Sequence, residues 1–207
     1  EFAYRWSRFK GADRDRYVVT RVAFDLQQDA PPAVRYGDLT RYFSEHGIES
    51  PTLLDVRDAV LAVRSSKGMV IDPQVPDSRS CGSFFMNPIV SEEQAAQVRD
   101  ILERQGIITP DRGMPEFPAG EGKVKLSAAY LMDKAGLQKG AVFGGVGISS
   151  RHVLALINCG AGTAAEILEL VAHVQRIVRE AFGVELHPEP VFIGFEQASV
   201  APSPEGR

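Results

Sequence analysis

The sequence predicts an α+β fold in which strands and helices alternate along 207 residues. Three observations predict it. Apolar residues recur at helical spacing in segments that open on a Ser or Thr cap. Runs of β-branched and aromatic residues lie between those segments, bounded by Gly and Pro. A content of 44% hydrophobic and 24% charged residues is that of a chain able to bury a core without metal or disulfide staples.

Taken in chain order, residues 17–26 (YVVTRVAFDL) are rich in strand formers and predict a strand. Pro31 and Pro32 break it, and residues 38–46 predict a short helix stopped by Gly47. Thr52 with Asp55 forms a capping-box pattern for a second helix, with Leu53, Val56, Val60 and Val63 at helical spacing, to about Ser66. Residues 67–90 have no helical period and carry several prolines, which predicts a crossing between domains that ends in a short strand at 83–85. Ser91 with Gln94 opens a helix that ends near Gly106. Residues 110–122, dense in Pro and Gly, read as an irregular surface loop. A helix over 127–134 follows, then strands at 142–143 and 152–158 joined through Gly144, Gly145 and Gly147. Thr163 and Glu166 give the best capping box, opening a helix whose apolar face holds Ile167, Leu168, Val171, Val174, Ile177, Val178 and Phe182 until Gly183 stops it. A strand at 191–195 and a disordered tail at 197–207 complete the expectation, with a boundary near 75–80.

The balance of 23 Lys and Arg against 27 Asp and Glu argues against nucleic acid or an anionic membrane as partner. No run approaches the roughly 18 apolar residues of a spanning helix, and the first residues lack a signal-peptide pattern, so a soluble, cytoplasmic chain is expected. Cys81 and Cys159, without CxxC or Cys/His spacing, read as reduced thiols and not as a metal site.

Candidate chemistry is sparse on pattern alone. Gly144-Gly145-Val146-Gly147 lacks both the GxGxxG and the Walker spacing and reads as a glycine turn. His46 and His173 read as helix residues, whereas His152, ahead of a strand, stays open. Ser83, after Gly82 and before Phe84 and Phe85, can approach a ligand with the aromatics packed behind it, yet no GxSxG elbow or triad accompanies it, so a turn serine is the plainer reading. YRWSRFK at 4–10 interleaves bases with aromatics and suits an anion site or a solvated basic face. Glu189, between Pro188 and Pro190, is either a strand-edge carboxylate or one fixed at a pocket mouth.

Seven segments nevertheless occur in a familiar order: YRWSRFK at 4–10, YGDLTRYF at 36–43, RSSKG at 64–68, DSRSCGSFFMNP at 77–88, KVKLSAAYLMD at 123–133, LQKGAVFGG at 137–145 and HPEPVFIG at 187–194. Together they resemble the MurB family, the UDP-N-acetylenolpyruvoylglucosamine reductases of peptidoglycan synthesis. The resemblance implies an α/β substrate-binding domain over 76–196 and the trailing part of a PCMH-type FAD-binding domain over 1–75, with the rest of the flavin region, including its diphosphate loop, preceding Tyr4. It implies a two-stage reaction: NADPH reduces FAD, and hydride then passes to the enolpyruvyl carbon of the UDP-sugar, giving UDP-N-acetylmuramate.

Residue by residue, the resemblance makes Ser83 the proton donor, with Arg5 and Glu189 flanking the substrate carboxylate. It makes Tyr36, Lys67, Asn87, Lys139 and, more weakly, Lys125 substrate-binding positions, and Tyr4 and Ser7 cofactor-binding ones. Met86 stands where Lys is common in the family, and His152 where some members have Gln. Little FAD retention is expected of this stretch by itself. The alternative is a flavin-free UDP-sugar-binding module or an inactive fragment.

Overall fold

The computed structural model describes residues 2–27, 30–109 and 111–194. Among them are five α-helices and three antiparallel sheets, the α+β class that the alternation predicts. A minimal hairpin, β1 (Phe2–Ala3) and β2 (Trp6–Ser7), pairs Phe2 with Ser7 and Ala3 with Trp6, so Tyr4 and Arg5 form its loop. A 3-10 turn at Arg8–Lys10 follows, pinned by the buried Asp13, whose carboxylate accepts from Arg8 and, at 3.0 Å, from Arg16.

Residues 17–26 form no strand, which corrects the expectation. Their side chains are exposed, Val18 by 87% and Phe24 by 78%, and no ladder partner lies beside them among the described residues. Strand propensity is realised only through pairing. Residues 191–193 are also outside any strand, with Val191 and Ile193 exposed, while position 195 of that expected strand lies outside the described residues. The expected tail at 197–207 lies outside them as well.

Helix α1 (Gly37–Glu45) packs on α2 (Leu53–Ser66) over a small core of Leu39, Phe43 and Ala59. Gly47, at φ 64, turns the chain after α1 in the left-handed region that suits glycine. Thr52 caps α2 in a reciprocal box with Asp55.

The large core lies beyond this helical pair, between two sheets and three helices. The four-stranded sheet runs in the order β3 (Ser80–Ser83), β9 (Ala155–Asn158), β8 (Val146–Ile148), β7 (Val142–Phe143). The expected strand at 83–85 is therefore shifted towards the N-terminus, and the one at 152–158 starts only at Ala155, because Ala155 N–H donates to His152 O and closes a turn first. The second sheet orders β4 (Ile89–Ser91), β6 (Lys123–Leu126), β5 (Glu116–Pro118). It places a strand inside the stretch read as irregular loop, since β5 finds a partner in the alternating Lys-Val-Lys-Leu of β6, where Val124 and Leu126 point inward.

Helix α3 (Glu92–Arg104) is capped by Ser91, and α4 (Ala128–Lys134) by Ser127. Helix α5 (Ala164–Phe182) buries Leu170, Val171, Val174, Val178 and Phe182, and ends at Gly183, φ 66. Its capping carboxylate Glu166 also accepts from Gly145 N–H at 2.8 Å, tying the glycine turn to the helix start. A Cβ at Gly145 would stand 2.6 Å from the Gly162 backbone, so this glycine serves a close crossing of two chain segments.

Candidate functional site

The strand that carries Ser83 is bulged. Ser80 pairs with Ile157 and Ser83 with Ala155, so β3 has one residue more than β9 over that interval. Gly82 takes up the extra residue at φ 82. A bulge of this kind re-aims the side chain next to it. Ser83 is half-buried, and the next two residues, Phe84 and Phe85, are both nearly fully buried with rings 5.4 Å apart.

Glu189 reaches the same place through a chain of backbone bonds. After α5, Val184 and Leu186 are buried, and Leu186 O accepts from Gln175 Nε2 at 2.8 Å. Met86 N–H donates to His187 O at 2.9 Å and Glu189 N–H to Phe84 O at 2.8 Å, which sets Glu189 beside the residue that follows Ser83. Arg5 then closes on it, with Nη1 2.7 Å from Glu189 Oε1. The guanidinium has five N–H donors, so Arg5 can hold Glu189 and still offer others to a second anion.

Arg5 stands at φ 56, in the left-handed region that costs a non-glycine residue roughly 1–2 kcal/mol. Lys10 Nζ, donating to Arg5 O at 3.0 Å, helps hold that turn. On the other side of the loop, Lys125 Nζ lies 4.4 Å from the centre of the Tyr4 ring and 5.7 Å from that of Phe117. Arg5, Glu189, the Ser83 strand, Tyr4 and Lys125 thus share one region. Ser7, half-buried, sits two residues beyond Arg5 on β2. Asn87 lies on the Ser83 segment, but its Oδ1 accepts from Ala128 N–H at 3.0 Å and so helps cap α4.

A second group assembles near the end of α2. Lys67 is the C-cap of that helix and ion-pairs with Asp38 of α1. Tyr36 is the N-cap residue of α1, its side chain exposed. Burial pushes His152 below its ordinary pKa, and the positive charges of Lys67 and Lys139 push it further, against a smaller opposing effect of Asp38. His152 Nδ1 accepts from Leu154 N–H at 3.2 Å, so the ring is the Nε2–H tautomer. The two groups meet here, because Leu154 O accepts from Phe84 N–H at 2.8 Å, next to Ser83.

Pattern reading missed Asp38 as the partner of Lys67, although both sit in the motifs YGDL and RSSKG. It also missed Asp77, whose environment becomes apparent only once residues 77 and 149 are together. Cys81, an exposed residue of β3, has a thiol held above its ordinary pKa by partial desolvation and, less, by the charge of Glu189. An open groove of about 500 Å³ runs along β3, past Ile71, Arg79, Ser80, Cys81, Phe84 and Asn158, and is not lined by Ser83, Arg5 or Glu189.

Fold and site together define a class: an α+β chain with a cation-rich polar site beside a bulged sheet strand. Comparison with known proteins makes it specific. Residues 73–193 match the model of the UDP-N-acetylenolpyruvoylglucosamine reductase C-terminal domain. Proteins of that name are similar over nearly the whole chain. The one from Thermobifida fusca is 46% identical over 93% of this chain and 53% of its own length, the one from Streptomyces avermitilis 44% over 94% and 53%, and the one from Chromobacterium violaceum 43% over 93% and 52%. The chain belongs to the MurB, or UDP-N-acetylenolpyruvoylglucosamine reductase, family. It spans about half the length of the curated relatives it matches. No helix among the described residues is long and apolar enough to cross a membrane.

Proposed function

We propose that the chain forms the substrate side of a reductase that converts UDP-N-acetylglucosamine enolpyruvate to UDP-N-acetylmuramate in peptidoglycan synthesis, in the cytoplasm. In this reading residues 76–196 bind the UDP-sugar and residues 1–75 are the trailing part of the flavin domain. The observation that carries it is the meeting of Arg5, Glu189 and the Ser83 strand from three distant parts of the sequence. The motif resemblance gives the same three residues their roles.

Tyr4 and Ser7 offer a ring and a hydroxyl next to Arg5, a donor set that suits one edge of a flavin. The glycine turn at 144–147 does not suit its diphosphate, because Gly145 N–H is already taken by Glu166. A bound FAD, reduced by NADPH, would supply hydride to the enolpyruvyl group.

The chain's own residues handle the charge and the proton. Arg5, permanently cationic, orients the substrate carboxylate and stabilises the enolate charge that hydride addition creates. Glu189 holds the guanidinium, and through it keeps the strained loop of the hairpin in place. Ser83 delivers its proton to the enolate carbon; so weak an acid serves only against a strong base held close to it, away from water. Lys67, Lys139 and Tyr36 receive the diphosphate, with Asn87 and Lys125 nearer the reacting end.

The test is Ser83→Ala in an intact enzyme containing this chain. Flavin reduction by NADPH is expected to keep its rate, while reduction of the UDP-sugar falls by about 10²–10⁴-fold, the contribution of a positioned general acid. Unchanged turnover would sink the assignment.

A further inference from the structure

The loop 149–152 touches both segments that carry the proposed diphosphate lysines. On one side it meets the end of α2: Arg151 Nη1 donates to Ser65 O at 2.8 Å, two residues before Lys67. On the other it meets the turn that carries Lys139: Gly140 N–H donates to Ile148 O at 3.0 Å and to Ser149 O at 3.3 Å. A Cβ on Gly140 would lie 3.7 Å from that of Ser150. His152 sits at the end of the loop, where the charges of both lysines reach it.

One carboxylate holds this loop. Asp77, in the 3-10 turn Pro76–Ser78, accepts from Ser149 Oγ, from Ser150 N–H at 2.7 Å and from Ser150 Oγ at 3.1 Å. Ser149 is fully buried, and its oxygen in turn accepts from the N–H groups of Arg151 at 3.1 Å and His152 at 3.2 Å. The same Asp77 packs on Gly68, the residue after Lys67: a Cβ added at Gly68, whose φ is 68, would stand 2.8 Å from Asp77 Cβ. Asp77 therefore braces the Lys67 turn directly and the Lys139 turn through Ser149 and Ser150.

We propose that Asp77 is a positioning residue for the diphosphate end of the substrate, fixing the separation of Lys67 and Lys139 through the Ser149–His152 loop. The proposal rests on the reading of those lysines as diphosphate ligands. It has a sign that distinguishes it from plain electrostatics. Removing a negative charge near two lysines should by itself tighten binding of an anion, whereas loosening the geometry should weaken it.

The experiment is calorimetric titration of an intact enzyme containing this chain with UDP as the probe, at fixed ionic strength, on wild type, Lys67→Ala, Asp77→Asn and the double variant. Asp77→Asn is expected to weaken UDP binding about tenfold, the scale of a lost charge-assisted hydrogen-bond set. In the Lys67→Ala background the same change should cost clearly less than tenfold, because the part of its effect that acts through Lys67 is already lost. Tighter binding by Asp77→Asn, unchanged binding, or a full additive loss in the double variant would overturn the proposal. Equal binding by wild type and Lys67→Ala would instead overturn the lysine reading on which it rests. Circular dichroism checks the fold; should Asp77→Asn not fold, Ser150→Ala, at the exposed end of the junction, carries the same expected direction and the same overturning outcome.

Discussion

The helical pair α1–α2 and the sheet region after it both carry residues of the proposed substrate site, yet they are stabilised by different means. The sheet region closes over a continuous core in which Leu126, Leu131, Ile148, Leu170, Val174 and Leu186 are almost fully buried. The helical pair shares three buried apolar residues, and it is tied to the sheet region by the hydrogen bond from Arg151 to Ser65 and the packing of Asp77 on Gly68. The difference teaches that Ser83 and Glu189 of the proposed site lie against a continuous apolar core, while Lys67 and Tyr36 lie on a pair tied to it by few contacts. Local opening should therefore begin at the helical pair.

The largest expected effect sharpens that contrast. Leu170→Ala, in α5, is expected to lower global stability by about 2–5 kcal/mol, read from urea unfolding. Leu39→Ala, in α1, should instead speed amide hydrogen exchange in α1 and α2 while leaving α5 protected. An equal loss of global stability from both would show the two regions unfolding as one.

A smaller effect separates the caps. Thr163→Ala and Thr52→Ala each remove a side-chain cap worth about 1 kcal/mol. At α5 the loss should appear in the urea midpoint. At α2 it should appear only as faster exchange of the first turn, and a shifted midpoint there would break the contrast.

The smallest effect is pH. Burial and then the two lysines hold His152 below its ordinary value, and burial holds His187 down against Glu185. The unfolded chain binds protons that the folded sheet region refuses, so stability is full above about pH 6.5 and declines as pH falls below it. In the helical pair, the hydrogen bond from Lys67 leads in lowering the Asp38 pKa, so its contribution is full above about pH 4 and lost only as pH falls further. Urea midpoints at pH 7.5 and 5.5 should differ, and His152→Gln should shrink the difference; equal midpoints in wild type would remove the effect.

Helices were legible because their signals are local. Thr52 with Asp55, Ser91 with Gln94, Thr163 with Glu166, and the stops at Gly47 and Gly183 all act within a turn of the helix they end, and each appears where the sequence puts it. Strands were less legible because a strand is a property of two segments. The most strand-like run, 17–26, has no partner among the described residues, whereas Glu116–Pro118 became a strand on the strength of its neighbour. The site followed the same division. Its residues could be named from motif order, but the Arg5–Glu189 pair joins the two ends of the described chain, and the Asp77–Ser149 bond spans 72 positions. No periodicity reports contacts of that range.

The exposed run at 17–26 also bears on handling of the protein. Val18, Val19, Val22, Phe24 and Leu26 present solvent with side chains of high strand propensity. Such a surface is a template for pairing between molecules, the first step towards fibrous aggregates. Arg16 flanks it and Arg21 and Asp25 interrupt it, as charged gatekeepers do in aggregation-prone stretches. At high concentration these three charges are what oppose that pairing along the run.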